Sequence, residues 1–254
     1  MILFLDFDGV LHPDAAYLVR GRPELRSGGE LFMWSCYLVD ALASAPHVRI
    51  VLSTSWAREL RFARARDYLP AELRQRIIGA TWHSGMATDD EHRPLGRDTW
   101  WDTSTRYQQI RRYVDRAGIT DWIAVDDQPE GWADTDRDKL VSTDSNLGLS
   151  APSARVRLAA AVGNMASAWA VADAMAGVLV IPQVERSASS ADLVQWVEWW
   201  QSSYLRATEL PPDQIAAMKA GHWWPPVSAA KVPATPPAIA RRRTPCSRSA
   251  TLSP

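Results

Sequence analysis

Four short apolar runs, each ending in polar or small residues, set the rhythm of the chain. Residues 2–5 run into Asp6-Phe7-Asp8-Gly9, residues 48–52 into Ser53-Thr54-Ser55-Trp56, and residues 122–125 into Asp126-Asp127. Residues 140–142 form a fourth run, followed by turn chemistry around Asn146 and Gly148. Apolar runs of this length suit strands buried on both faces. Between them the apolar period lengthens to that of a helix. Leu31, Trp34, Leu38, Val39 and Leu42 mark a helix over 30–45, and Tyr107, Ile110 and Val114 one over 100–117, with Gly118 as its C-cap. Residues 57–68 also read as helical, and Pro70 with Glu72 starts a short helix to residue 78. Residues 12–29 and 81–99 read as loops. Strands alternating with helices over the first 150 residues predict an α/β fold, a doubly wound and mainly parallel sheet.

Beyond Pro152 the texture changes. An alanine-rich helix is expected over 155–176 and a linker over 187–190. Leu193, Trp196, Val197, Trp200 and Leu205 then mark a helix that pairs with one over 211–219 in a Trp-rich hairpin. From Pro225 the chain is Pro, Ala, Ser and Arg without periodicity, which predicts disorder. The expected division is 1–151 for the α/β domain, 152–186 for a helical extension, 187–224 for the hairpin and 225–254 for the tail.

The strand ends carry the chemistry. In a parallel sheet they lie along one edge, so Asp6, Asp8, Ser53, Asp126 and Asp127 would converge. On an extended backbone Asp6 and Asp8 share a side and repel unless a cation or a proton intervenes, which asks for a metal ion or a proton-transfer role. Four carboxylates together call for a hard cation, and oxygen-only ligands select Mg²⁺ over zinc.

Composition narrows the field without changing this picture. A net charge of −1 over 254 residues gives no global field toward nucleic acid or membrane. The two cysteines, Cys36 and Cys246, are too few for a disulfide framework or a zinc site and suit a reducing, cytoplasmic compartment. No signal peptide or membrane span is expected. Lysine occurs only at positions 139, 219 and 231, so any cation among the early strand ends must be arginine.

The segments LFLDFDGVLH, VLSTSW and WIAVDDQ resemble, in order, motifs I, II and IV of the haloacid dehalogenase (HAD) superfamily. More narrowly, DFDGVLHP with STSW resembles the HAD domain of Swiss Army Knife RNA-repair proteins. The resemblance spans roughly residues 1–150 and implies a Rossmann-like sheet and a Mg²⁺-dependent phosphatase. It implies Asp6 as nucleophile, forming an aspartyl-phosphate, and Asp8 as the acid and base that protonates the leaving oxygen and then activates water. Asp6, Asp8 through its backbone carbonyl, Asp126 and Asp127 would surround the metal. Ser53, with Thr54 as competitor, would bind phosphate, and Gly9 would let backbone N–H groups approach it.

The departure is motif III, where the family's lysine is missing. Arg106 stands in the expected place, with Arg97 and Arg111 as the other candidates. His12 either touches substrate or packs on a neighbour; Trp56, Trp82, Trp100 and Trp101 either stack a base or fill the core. With 44 residues between Asp8 and Ser53 and 72 between Ser53 and Asp126, a minimal or absent cap and an open site are expected. Such a site would admit a phosphate on a large molecule, including RNA or DNA ends. The competing reading is a catalytically weak binding module that docks a partner through its Trp-rich C-terminal region.

Overall fold

The computed structural model describes residues 1–87, 99–176 and, in part, 189–198. Five strands form a parallel sheet: β1 (Ile2–Leu5), β4 (Arg49–Leu52), β5 (Ile77–Ala80), β6 (Trp122–Asp126) and β7 (Leu140–Ser142), in the order β5-β4-β1-β6-β7. Strand β1 lies at the centre, and the expected doubly wound α/β sheet is present.

Pleat parity sorts the core into two layers. Leu3, Leu5, Ile50, Leu52, Ile123 and Val125 pack with α1 (Ser35–Leu42), α2 (Ser55–Glu59), α3 (Phe62–Asp67) and α7 (Pro152–Ala161). Phe4, Val51, Trp122 and Ala124 pack instead with Ile110 and Val114 of α6 (Arg106–Ala117). Phe4 is fully buried, edge-on to Tyr113 and Trp122. Truncating such a ring to alanine costs about 3–5 kcal/mol.

Several expected elements differ. Residues 12–29 hold an antiparallel hairpin, β2 (Ala16–Val19) with β3 (Arg22–Leu25), turning at Arg20 and Gly21, both with positive φ. Positive φ at both central residues matches the twist of paired strands, which is why the turn closes there. The helix expected over 57–68 is two helices, α2 and α3, interrupted at Arg61, whose φ of 70° lies outside the helical region. Residues 70–78 hold only one helical turn, α4 (Ala71–Arg74), before the chain enters β5, a strand the periodicity did not reveal. The helix expected over 100–117 is split into α5 (Trp100–Thr103) and α6, because Thr105 caps α6 by accepting the Gln108 N–H at 3.2 Å. Gly118, in the left-handed region, closes α6 as expected.

The alanine-rich stretch is also two helices, α7 and α8 (Met165–Ala176), separated at Gly163 and Asn164. The Asn164 amide donates to the Asp40 and Ala41 carbonyls at the end of α1, which ties α7 to the first core layer. Two compact units, Met1–Trp169 and Ala170–Pro254, divide the chain. In the second, residues 190–198 are helical where described, with Leu193 and Val197 buried. Most of the Trp-rich hairpin, including Trp199, Trp200, Trp223 and Trp224, and the 225–254 tail lie outside the described residues. Among those described, no helix is long and apolar enough to cross a membrane.

Candidate active site

The same parity decides which strand-end side chains meet. Asp6 continues the Phe4 side of β1, Ser53 the Val51 side of β4 and Asp126 the Ala124 side of β6, so all three fall on the face covered by α6. Leu5 is in register with both Leu52 and Val125. The Ser53 N–H donates to the Leu5 carbonyl at 2.8 Å and the Asp6 N–H to the Val125 carbonyl at 3.1 Å, which holds the three positions abreast.

Arg106 enters from the first turn of α6. Its Nη2 donates to Asp6 Oδ2 at 3.1 Å, its Nε lies 3.0 Å from Asp126 Oδ2, and its Nη1 donates to Gln109 Oε1 at 3.1 Å. The Nε contact is close enough for a charge interaction but lacks hydrogen-bond alignment, so both atoms remain without a directed partner. A cation at a helix N-terminus opposes the macrodipole. The two buried carboxylates offset that cost, and Arg106 bridges strands β1 and β6 where the family's lysine was expected. Lys139, by contrast, pairs with Asp136 at 2.8 Å, and Arg111 faces Asp115 and Asp136. Arg97 lies outside the described residues.

Asp6, Asp126 and Asp127 each offer one carboxylate oxygen within 4.8 Å of the others. Burial pushes Asp6 up to about 6; Arg106 opposes this, and the Asp8 charge adds to it. Burial and the Asp6 charge likewise raise Asp126 well above the usual carboxylate range against the pull of Arg106. Burial raises Asp127, partly offset by the Ser145 hydroxyl, which donates to its Oδ2 at 2.7 Å. Burial alone would weaken the hold of Arg106 on its proton, but Asp6 and Asp126 outweigh it and raise its value. Three crowded oxygen donors held at elevated pKa, with Asp126 Oδ2 lacking a directed donor, fit a hard divalent cation such as Mg²⁺.

Asp8 stands apart from that trio. Its Oδ2 accepts the Trp56 indole N–H at 2.9 Å and its Oδ1 faces His12 Nε2 at 3.1 Å. The Phe32 N–H donates to His12 Nδ1 at 3.3 Å, so Nδ1 is an acceptor and the proton sits on Nε2, pointing at Asp8. His12 is fully buried, edge-on to Phe32 and Trp56; it is a packed residue that orients Asp8.

Ser53 is fully buried and its hydroxyl has no hydrogen-bond partner. Thr54, equally buried, caps α2 by accepting the Trp56 N–H at 3.4 Å, which leaves its hydroxyl proton free to donate. Gly9 has a φ of 66°, and a Cβ there would run into the Asp127 carboxylate. Its absence lets Asp127 lie against the first loop. The Thr143 hydroxyl donates to the Gly9 carbonyl at 2.8 Å, bracing the loop from the end of β7.

Trp56, Thr143 and Ser145 were not expected to support the aspartates. Trp56 is 48 residues from Asp8 in the chain and carries no local sign of the contact. Thr143 and Ser145 follow the fourth strand, where hydroxyls after a parallel strand were the available signal. Trp82 and Trp101 are buried, whereas Trp100 is 42% exposed.

A family model described as the HAD domain in Swiss Army Knife RNA repair proteins matches residues 2–154, spanning every strand and aspartate above. No curated protein and no solved structure matches the chain. With its five-stranded sheet, its strand-end aspartates and a family match over more than half its length, the chain belongs to the HAD-domain family of the Swiss Army Knife RNA repair proteins, within a superfamily of hydrolases.

Proposed function

We propose that the chain is a Mg²⁺-dependent phosphatase that hydrolyses phosphate monoesters through an aspartyl-phosphate on Asp6, acting on nucleic-acid ends. The observation that carries this reading is the division of labour among the carboxylates. Asp6 is buried beside Arg106, Asp126 and Asp127, while Asp8 is held separately by Trp56 and His12.

A carboxylate oxygen of Asp6 attacks phosphorus, the bond from phosphorus to the leaving oxygen breaks, and Asp8 gives that oxygen its proton. Asp8, now a carboxylate, takes a proton from water. The resulting hydroxide displaces Asp6 from phosphorus, releasing inorganic phosphate and restoring both aspartates. Arg106 balances the charge of Asp6 and of the transferring phosphoryl group. The unpartnered Ser53 hydroxyl donates to a phosphate oxygen, and the Gly9 turn admits backbone N–H groups to the same group. Thr54 holds the start of α2 through an acceptor site and keeps its hydroxyl proton as a second donor for the phosphate. Asp6, Asp126, Asp127 and the Asp8 carbonyl would hold Mg²⁺, which supplies charge neutralisation of the phosphate.

The substrate class follows from the family's RNA-repair context and from the modest insertion between β1 and α1, a single hairpin. The binding-module alternative rested on the missing lysine. Arg106 beside Asp6 supplies that charge, and the Trp-rich region on which the alternative depends lies outside the described residues.

The test is phosphate release with Mg²⁺ from a panel of phosphorylated metabolites, nucleotides and oligonucleotide 3′- and 5′-phosphates, comparing the parent with Asp6→Asn. Turnover that the substitution abolishes, fastest on oligonucleotide ends, is expected. Absence of turnover in both proteins would favour the binding module, and a strong preference for metabolites would overturn the substrate class.

A further inference from the structure

The outward face of α6 and the exposed Trp100 of α5 line an open groove of about 660 Å³. The function proposed above makes no use of it. Helix α6 has two chemistries on its two sides: Arg106, Gln109, Ile110 and Val114 are buried toward the sheet, whereas Gln108, Arg111, Arg112 and Arg116 face the groove. Arg111 is neutralised by Asp115 and Asp136. Arg112 and Arg116 have no carboxylate partner among the described residues. Arg112 instead lies over the Trp100 ring at 4.2 Å, and Arg116 lies over Tyr113 and reaches His83 Nε2 at 3.5 Å. Burial, and then the nearby Arg116 and Arg112 charges, push His83 below its usual value.

We infer that this groove binds the sugar-phosphate backbone and a base of a single nucleic-acid strand, with Arg112 and Arg116 on successive phosphates and Trp100 under a base. Three features match that occupant. Two guanidinia four residues apart on a helix, neither with a carboxylate partner among the described residues, are spaced by about 6 Å along its axis, on the order of the step between phosphates of an extended strand. Trp100 is an exposed indole whose ring already takes a planar guanidinium, a partner that a base can replace or join, and stacking tolerates any base. The chain's near-neutral total charge also means that attraction for a polyanion must come from a local patch of this kind. The inference rests on the proposed action at nucleic-acid ends and gives that site a handhold on the strand away from the reacting phosphate.

The test uses the full chain and a short single strand without a terminal phosphate, RNA in one arm and DNA of the same sequence in the other. Fluorescence anisotropy is read across a salt series. No turnover is involved, so the outcome does not depend on the phosphatase reading. The parent is expected to bind at least one strand. Arg112→Ala with Arg116→Ala should lower the magnitude of the salt slope by about 1.4, from about 0.7 per phosphate contact in single strands. Trp100→Ala should weaken binding at least about fivefold. The double Lys variant should keep the parent's slope, separating lost charge from a damaged helix. The ratio of the two arms tells RNA from DNA. A parent that binds neither strand, or a double Ala variant with unchanged affinity and slope, would overturn the inference.

Discussion

Replacing Arg106 by methionine probes the charge balance of the site most sharply. The substitution keeps most of the aliphatic stem but removes the guanidinium that touches Asp6 and Asp126, both at least nine-tenths buried. Breaking a buried ion pair from one side leaves uncompensated charge and costs about 3–5 kcal/mol. Against a typical domain stability of about 5–15 kcal/mol that is a large fraction.

The loss should depend on pH, and its sign follows from Asp6. The folded value of about 6 lies above that of an unfolded carboxyl, so between these values the folded protein binds more protons and is stabilised by acid. The effect reaches about 1.4 kcal/mol per pH unit for each such carboxyl. Arg106 is what restrains the rise, so its removal lifts Asp6 and Asp126 further and lets the variant gain more from acidification than the parent does. Metal-free urea unfolding should therefore show a deficit of about 3–5 kcal/mol near neutral pH that narrows as the pH falls through the range of the Asp6 titration. A deficit below about 1 kcal/mol, the scale of an exposed pair, or one that does not change with pH, would refute the reasoning.

Three further outcomes follow from the same geometry. Added Mg²⁺ should raise the melting temperature of the parent, less so below about pH 6 where Asp6 holds its proton, and not at all in Asp126→Asn; differential scanning fluorimetry reads all three. Trp56→Phe keeps the ring among Phe7, Phe32 and Tyr68 but removes the donor to Asp8. Loss of a hydrogen bond to a charged group, about 1.5–3 kcal/mol, should lower kcat roughly tenfold to a hundredfold with little change in KM, as steady-state kinetics would show. Gly9→Ala should destabilise by at least about 1–2 kcal/mol, from its left-handed backbone and from the clash with Asp127, measured as a shift in urea midpoint.

The sheet and the meeting of Asp6, Asp126 and Asp127, with Ser53 abreast on the neighbouring strand, were legible because buried strands advertise themselves as apolar runs and parallel strands deliver their ends to one edge; Asp8, expected to converge with them, turns instead to Trp56 and His12. Arg106 could be selected because lysine was absent and α6 had a clear period. The β2–β3 hairpin was not legible: neither strand has a fully buried position to create an apolar run, and an Arg-Gly pair replaces the usual Asn-Gly turn signal. Strand β5 was hidden because it is a four-residue, partly exposed edge strand directly after a helical turn. The break at Arg61 needed a left-handed residue that nothing in its type announces. The grip of Trp56 on Asp8 joins residues 48 apart through tertiary packing, which local periodicity does not encode, whereas His12 reaches Asp8 from four residues along the same loop.

The central claim is that Asp6 takes the phosphoryl group covalently. Asp8→Asn removes the base that hydrolyses the adduct, and 4-nitrophenyl phosphate has a leaving group that departs without a proton, so together they should let the adduct accumulate. Intact and peptide mass spectrometry after rapid acid quench, with Mg²⁺ present, should find phosphate on the peptide carrying Asp6. It should find none when Asp6→Asn is added. Turnover by the parent without any phosphorylated Asp6 peptide in the Asp8→Asn protein would contradict the account and point to direct attack by water.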